Sequence, residues 1–513
     1  MKSFKGILIA NRGEVAIRIS RAVAALNMRS VAIFSGDDEK SLHVTMADES
    51  LALQGIGPKA YLDLEQIIDA AKRMGCDAIH PGYGFLSEQS QFAVRCQEEG
   101  IRFIGPRPEH LKLFGNKSEA RLAAHSAKVP TLRGTDRPVG LEEAIDFFDE
   151  LSGGMVIKAV SGGGGRGTRI ITKRTEVPAA FELCQSEAMS SFGNGDLYLE
   201  EFMSRARHIE IQIVGDQSGN ITHLFERECS IQRRNQKVIE IAPAPNLSNW
   251  LRDELISAST RFAKAQRYES LGTFEFLVDL DASKPKFAFI ETNARLQVEH
   301  TVTEEVTGVD LVKTQIQIAA GASLTETGLV PGNLTEPEGY AIQSRVNLET
   351  FQANGNVLPA VGSLSAYEVP SGPGVRTDGF GYSGYQTSNA FDSLLAKVIV
   401  RSLSNNFEEA SKKSIRALSE FRIAGVKNNL SFLKKILASS DFVNGRCHTR
   451  WVEEHGETLS GEWNGDDRFV QSVENDKVSD GFAGARVDTS DPMALFEYDR
   501  KNKERVASSL TVA

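Results

Sequence analysis

The sequence predicts a chain of several domains, parallel α/β at its N-terminus and α+β beyond. Three observations predict it. Strand and helix signals alternate through residues 1–115. A run of four glycines, 162–165, interrupts a strand pair, and a Pro/Gly-rich stretch, GLVPGNLTEPEG, sets off a further α+β segment. At 513 residues the chain exceeds one ordinary core, since a domain takes roughly 100–200 residues.

In the first segment KGILIAN, RSVAIFS, CDAIHPG and IRFIGP read as strands, with GEVAIRISRAVAALN, LDLEQIIDAAKRMG and SQFAVRCQEEG as helices between them. That order predicts a parallel sheet covered on both faces. The first turn reads NRGE, without GxGxxG, so NAD binding is not expected. Residues 116–335 form a second unit: helices SEARLAAHSAKV and LEEAIDFFDEL, then strands MVIKAV and TRIIT around the glycines. HIEIQIVG with THLFERE, and GTFEFLV with KFAFIETN, are expected as antiparallel hairpins. Residues 336–447 supply strands YAIQSRVN, SLSAYEVP and LLAKVIV and helices FEEASKKSIRALSEF and NLSFLKKILAS. Residues 448–513 are polar and weakly periodic, a tail or linker with one helix near its end.

Composition narrows the function. The formal charge of -10 disfavours nucleic acid and anionic membrane as partners. The chain has no apolar run long enough to span a bilayer. Five cysteines without a CxxC pair point to a reducing compartment. The start runs almost directly into a strand pattern, so a cytoplasmic protein is expected, or one of an organelle matrix after loss of a leader.

Four local features carry chemistry. Ser161–Gly167 is more permissive than a plain turn requires, and Lys158 precedes it on a strand. A mobile flap whose backbone N–H groups cover phosphates is expected. Glu275 and Glu291 lie among apolar residues on successive strands. With Asn293 they either form an all-oxygen set for Mg²⁺ or Mn²⁺ or face solvent. Arg295, Gln297 and Glu299 share one face if extended, which suits a small planar anion but equally a salt-bridged strand. The charged string Glu226–Lys237 reads as a solvated face, with Cys229 an unreactive thiol.

In this order the features resemble biotin carboxylase, an ATP-grasp enzyme, across residues 1–450. The resemblance is carried by IANRGEVAIRI, HPGYGFLSE, GNKSEAR, VIKAVSGGGGRGTRI, RHIEIQI, ERECSIQRRNQKVIEIAPAP and FIETNARLQVEHTVTE. It implies an N-terminal domain (1–115), an ATP-grasp domain (116–335, flap subdomain about 132–203) and a C-terminal domain (336–447). It implies that Lys117 and Lys158 contact ATP phosphates beneath Gly163, Gly164, Gly165, Arg166 and Gly167. Glu200 would meet adenine, with His208, Gln232 and Asn235 beside the nucleotide. Glu275, Glu291 and Asn293 would hold magnesium. Lys237, Arg295, Gln297, the Val298 backbone and Glu299 would bind bicarbonate, with Glu299 as general base. Arg345 and Tyr83 would face biotin.

The resemblance also implies partners: biotin on a carrier protein or segment, a carboxyltransferase component, and a homodimer or larger complex. The biotin-bearing Met-Lys-Met context is absent from the sequence, so the carrier is expected elsewhere. Asn116, Asn235, Ile241 and Gln343 depart from the family pattern. Two other readings fit these residues: a different ATP-grasp ligase joining a carboxylate to an amine, and a degenerate nucleotide-holding subunit. The departures support only the second.

Overall fold

The computed structural model describes residues 3–465 apart from 152, 161–166 and 280–285. The helix expected near the end of the chain, and Gly163, Gly164, Gly165 and Arg166 of the flap, lie outside the described residues.

β1 (Ile7–Ile9), β2 (Ser30–Phe34), β3 (Glu49–Ala52), β4 (Ala78–His80) and β5 (Arg102–Phe103) form a parallel sheet in the order β3-β2-β1-β4-β5. The expected four strands are there. The fifth, β3, is an edge strand exposed along most of its length, so ESLA lacks the apolar signal that marked the others. Strand order reverses between β1 and β4, the place where open α/β sheets present ligand sites. Asn11, after β1, ties the two loops there by donating to the carbonyls of Pro81 at 2.7 Å and Tyr83 at 2.8 Å.

β6 (Met155–Ala159), β7 (Thr168–Ile171) and β8 (Leu197–Glu201) form a separate antiparallel sheet in the order β7-β6-β8. Alternation sends Met155, Ile157 and Ala159 into its own small core with Phe181 and Leu199, and Lys158 to the opposite face.

The remaining strands are β9 (Ala206–Gly215), β10 (Ile221–Arg233), β11 (Gln236–Ala242), β12 (Ser270–Asp279), β13 (Lys286–Asn293), β14 (Tyr340–Asn347), β15 (Glu349–Phe351), β16 (Val357–Pro359), β17 (Ala366–Glu368), β18 (Val375–Gly379), β19 (Leu394–Ser402) and β20 (Arg422–Ala424). β15 pairs with β16 and β17 with β20. The others join in one eight-stranded sheet, β13-β12-β9-β10-β11-β14-β19-β18. The expected hairpins β9–β10 and β12–β13 are antiparallel. The sheet crosses the Pro/Gly-rich stretch through the β11–β14 pair, and so sets Glu240 opposite Gln343.

Two sequence expectations are corrected. The string Glu226–Lys237 is no solvated face: Glu226, Arg227, Glu228, Ser230 and Gln232 are buried, because β10 lies inside the sheet with β9 and β11 on either side. The tail expected from 448 begins later. Short helices Trp451–Glu454 and Gly456–Leu459 bury Trp451, Val452 and Leu459 in one core with the helices Phe407–Glu420 and Leu430–Ala438. Removing an indole from such a core costs about 3–5 kcal/mol. Trp451→Ala should therefore lower the urea midpoint clearly, and an unchanged midpoint would show that this segment is not part of the core.

Candidate active site

Period-2 alternation on β9 builds the site floor. Ile209, Ile211 and Ile213 pack into the core, while His208, Glu210 and Gln212 leave the other face, all buried. In register beside them on β12 are Leu277, Glu275 and Thr273. Glu275 in turn lies opposite Glu291 of β13, and Thr273 opposite Asn293. Cross-strand partners share a face, so Glu275, Glu291 and Asn293 leave the same face of the sheet.

Lys237 of β11 reaches across this floor. Its Nζ donates to Glu210 at 2.6 Å, Glu275 at 3.0 Å and Glu299 at 2.6 Å. Burial alone would push the ammonium toward neutrality, but the three carboxylates outweigh it and hold the lysine well above its ordinary value. Arg227, fully buried on β10, lies beneath. It pairs with Glu210 and donates to Gln212 and Thr303 at 2.9 Å, Thr273 at 3.0 Å and Gln297 at 2.8 Å. Glu275 also accepts from Asn293 and Gln297, each at 2.7 Å, and has His208 Nε2 at 2.8 Å. Burial raises this carboxyl, yet Lys237 and His208 win and it stays well below the usual range.

Residues 294–299 depart from expectation. They are not an extended strand: Asn293 ends β13, and Glu299 stands at the N-cap of the helix His300–Thr307. Arg295, Gln297 and Glu299 are brought to the cluster by a loop, not by strand alternation. Gln297 and Glu299 are buried, and Arg295 donates to Asn293 at 2.8 Å and lies 3.2 Å from Glu88. The following helix is pinned by Thr303 to Arg227, by Thr301 to Gln343, and by Glu304, which accepts from Arg18 and from Arg376 at 2.8 Å. His300 is structural, as expected, fully buried with Nδ1 at 2.7 Å from the Gln297 carbonyl.

Glu299 also meets Arg345 of β14, whose Nη2 donates to it at 3.1 Å. Burial pushes the Glu299 carboxyl up, but Lys237, Arg345 and Arg227 together hold it far below the ordinary value. Arg345 pairs in addition with Glu240. Glu240 is raised by burial, pulled down by Arg345 and raised again by Glu299. Tyr83 donates to Glu14 and sits within the field of the Arg345 charge; burial, then Glu14, pushes its phenol up.

The residues expected beside the nucleotide converge less tightly. Lys158 pairs with Glu200, and Arg121 approaches Glu200 at 3.4 Å. Lys117, the first residue of the helix Lys117–Ser126, lies 3.5 Å from Glu291, whose side chain is 38% exposed. Gln232 contacts His208 Nδ1 at 2.7 Å. Gly167 has φ +66°, a conformation that favours glycine. Asn235 stands at the exposed tip of the β10–β11 turn, and among the described residues it makes no hydrogen bond or ion pair with the cluster.

The four departures are accommodated locally. Asn116 caps its helix, accepting from Ser118 N at 3.1 Å and Glu119 N at 3.2 Å, a role Asn fills as well as Asp. Arg234 and Asn235 both have positive φ, the geometry of a tight hairpin turn that suits Asn. Ile241 faces the C-terminal core. Gln343 donates to Glu240 at 2.8 Å, where a second acid would oppose a buried carboxylate directly. Glu210, Arg227 and Glu240 were missed as site residues. The alternation in HIEIQIV could have exposed the first; nothing local marks the other two.

Glu275 and Glu291, with Lys117 beside the second, thus adjoin the buried cluster of Lys237, Glu299 and Arg345. Residues 3–111 match the biotin carboxylase N-terminal domain, 116–327 the carbamoyl-phosphate synthase L chain ATP-binding domain, and 343–454 the biotin carboxylase C-terminal domain. The biotin carboxylase domain of Hydrogenobacter thermophilus 2-oxoglutarate carboxylase, a dimer with MgADP, ADP and bicarbonate, is 40% identical. It covers 90% of this chain and 100% of its own, with a TM-score of 0.84. Campylobacter jejuni biotin carboxylase is 36% identical over 88% of this chain and 99% of its own, with a TM-score of 0.83. Staphylococcus aureus pyruvate carboxylase is 47% identical over 460 residues, 88% of this chain but 39% of the relative. The chain belongs to the biotin carboxylase family.

Gln343→Glu tests the Glu240 contact. Burial and Glu240 would raise the new carboxyl in the fold above its unfolded value of about 4.3. A raised folded pKa means stability held at low pH and lost as pH rises through it. The variant should match the parent near pH 4 and fall progressively behind it toward pH 8 in thermal unfolding. A deficit independent of pH would contradict the like-charge account.

Proposed function

We propose that the chain carboxylates biotin at the expense of ATP, through the residues assembled above, as the first half-reaction of a biotin-dependent carboxylase. The observation that supports it most is Glu299, ionised and buried, between Lys237 and Arg345. Bicarbonate is a poor nucleophile and a planar anion. Lys237, Arg295, Gln297 and the Val298 backbone seat it, and Glu299 takes its proton. The freed oxygen attacks the γ-phosphorus and the bond to ADP breaks, giving carboxyphosphate. Lys117 and Lys158 face the charge that gathers on the phosphoryl oxygens. Lys158 leaves Glu200 to do so, and Glu200 is then free to meet adenine. Carboxyphosphate divides into CO2 and phosphate, and the phosphate removes the ureido N–H proton of biotin. The nitrogen bonds CO2 while Arg345 stabilises the ureido oxygen, with Tyr83 beside it.

The Glu275 and Glu291 carboxylates are the oxygens that would hold a hard divalent cation, with Asn293 beside them, its own oxygen engaged by Arg295. Four donors already surround Glu275, so one of them would give way where the carboxylate held a cation. Such an ion would supply charge neutralisation at the phosphates. The 161–167 flap would exclude water from carboxyphosphate.

Partners follow from the relatives. The chain spans about two-fifths of the pyruvate carboxylases it matches, so the biotin carrier and the carboxyltransferase belong to other segments or chains. The acceptor class those relatives favour is a 2-oxo acid. The Hydrogenobacter dimer supports a homodimer. Five buried, unpaired cysteines support a reducing compartment, cytoplasm or organelle matrix. Among the described residues no helix is long and apolar enough to cross a membrane.

Glu299→Gln should cut bicarbonate-dependent ATP hydrolysis, measured with magnesium and free biotin, by about 10²–10⁴-fold, the usual worth of a general base, while ATP still binds. Full activity in the variant would remove Glu299 from the role. Turnover that needs an amine acceptor rather than bicarbonate would favour another ligase.

A further inference from the structure

Lys397 has no part in the steps above, yet it is 0% exposed and lies among the residues that perform them. On β19 it stands opposite Arg345 of β14 on one side and Asp378 of β18 on the other. Its side chain therefore leaves the same face of the sheet as Arg345. Its Nζ donates to the Val298 carbonyl at 3.0 Å and lies 3.1 Å from Glu14 Oε2. Glu14, in the first turn of the helix Gly13–Ala25, takes the Tyr83 hydroxyl on its other oxygen. One ammonium thus joins the N-terminal domain, the C-terminal strands and the loop that carries the base.

The carbonyl it holds belongs to the Val298–Glu299 peptide. That unit is planar, so fixing its oxygen fixes the plane from which the Glu299 Cα and side chain depart. Glu299 needs such a restraint: it precedes the helix with φ -85° and ψ 6°, and its side chain caps nothing. An apolar residue would fill the volume of a buried lysine at least as favourably, so packing alone does not account for an ammonium here.

We propose that Lys397 is a positioning residue, holding the Val298 carbonyl so that Glu299 is aimed at bicarbonate, with Glu14 and Tyr83 tying that aim to the biotin side of the site. The proposal rests on the reading of Glu299 as the base. A purely structural lysine would affect every kinetic constant alike, whereas a positioning one affects the bicarbonate step.

Steady-state ATP hydrolysis by the full chain separates the cases, with bicarbonate and ATP varied in turn and MgADP binding measured alongside. Wild type without bicarbonate dependence would overturn both the function and this role. Given an active wild type, Lys397→Met should lower kcat/KM for bicarbonate about tenfold to a hundredfold, as a misplaced catalytic group does. KM for ATP and MgADP affinity should stay within about twofold, and Lys397→Arg should restore part of the loss. Unchanged bicarbonate kinetics, or equal losses for both substrates, would overturn the role of Lys397 and leave the carboxylase reading standing. If Lys397→Met binds no MgADP, Glu14→Gln decides: a selective bicarbonate defect supports the role, and wild-type kinetics overturn it.

Discussion

One ammonium group shared by three buried carboxylates holds this site together. Glu210, Glu275 and Glu299 all touch Lys237, and none could be buried as an isolated anion without a cost of several kcal/mol. Arg227 and Arg345 complete the set, so that charge is close to balanced within the cluster. The balance constrains the fold: β9, β10, β11, β12, β14 and the loop before His300 each contribute a charge, and the register of the eight-stranded sheet brings them together. It also constrains the chemistry. Glu299 stays ionised because cations surround it, and the lysine stays charged because the acids do. An arriving anion finds Lys237 and Arg345 already in place.

The site's other half is more loosely held. Lys117 and Lys158 pair with single acids, one of them partly exposed, and Lys158 sits on a small sheet with its own core.

Much of this was legible in the sequence. The parallel N-terminal sheet followed from strand–helix alternation, whereas acids placed among apolar strand residues left Glu275 and Glu291 open between a shared set and a solvent face; Glu275 is buried, and Glu291 is partly exposed. What was not legible depends on distance along the chain. Arg227 reads as one more charge in a charged string, and only the placement of β10 between β9 and β11 buries it. Gln343 looks like a loss until its register partner proves to be Glu240. The step from Asn293 to Glu299 reads as a strand because Arg, Gln and Glu recur every second residue; the helix that begins at His300 overrides that spacing. β3 and the helix Trp451–Glu454 are too short for periodicity to register.

The central claim is that Glu299 is held ionised by its cations. Carbon-13 NMR of glutamate carboxyls, with Glu299 assigned by its absence from the Glu299→Gln spectrum, tests it directly. The account predicts a resonance that keeps its ionised position from pH 8 down through the ordinary glutamate range near pH 4.3, and that titrates upward in pH when Lys237 is replaced by Met. A Glu299 that titrates at or above the ordinary value in the wild type would contradict it.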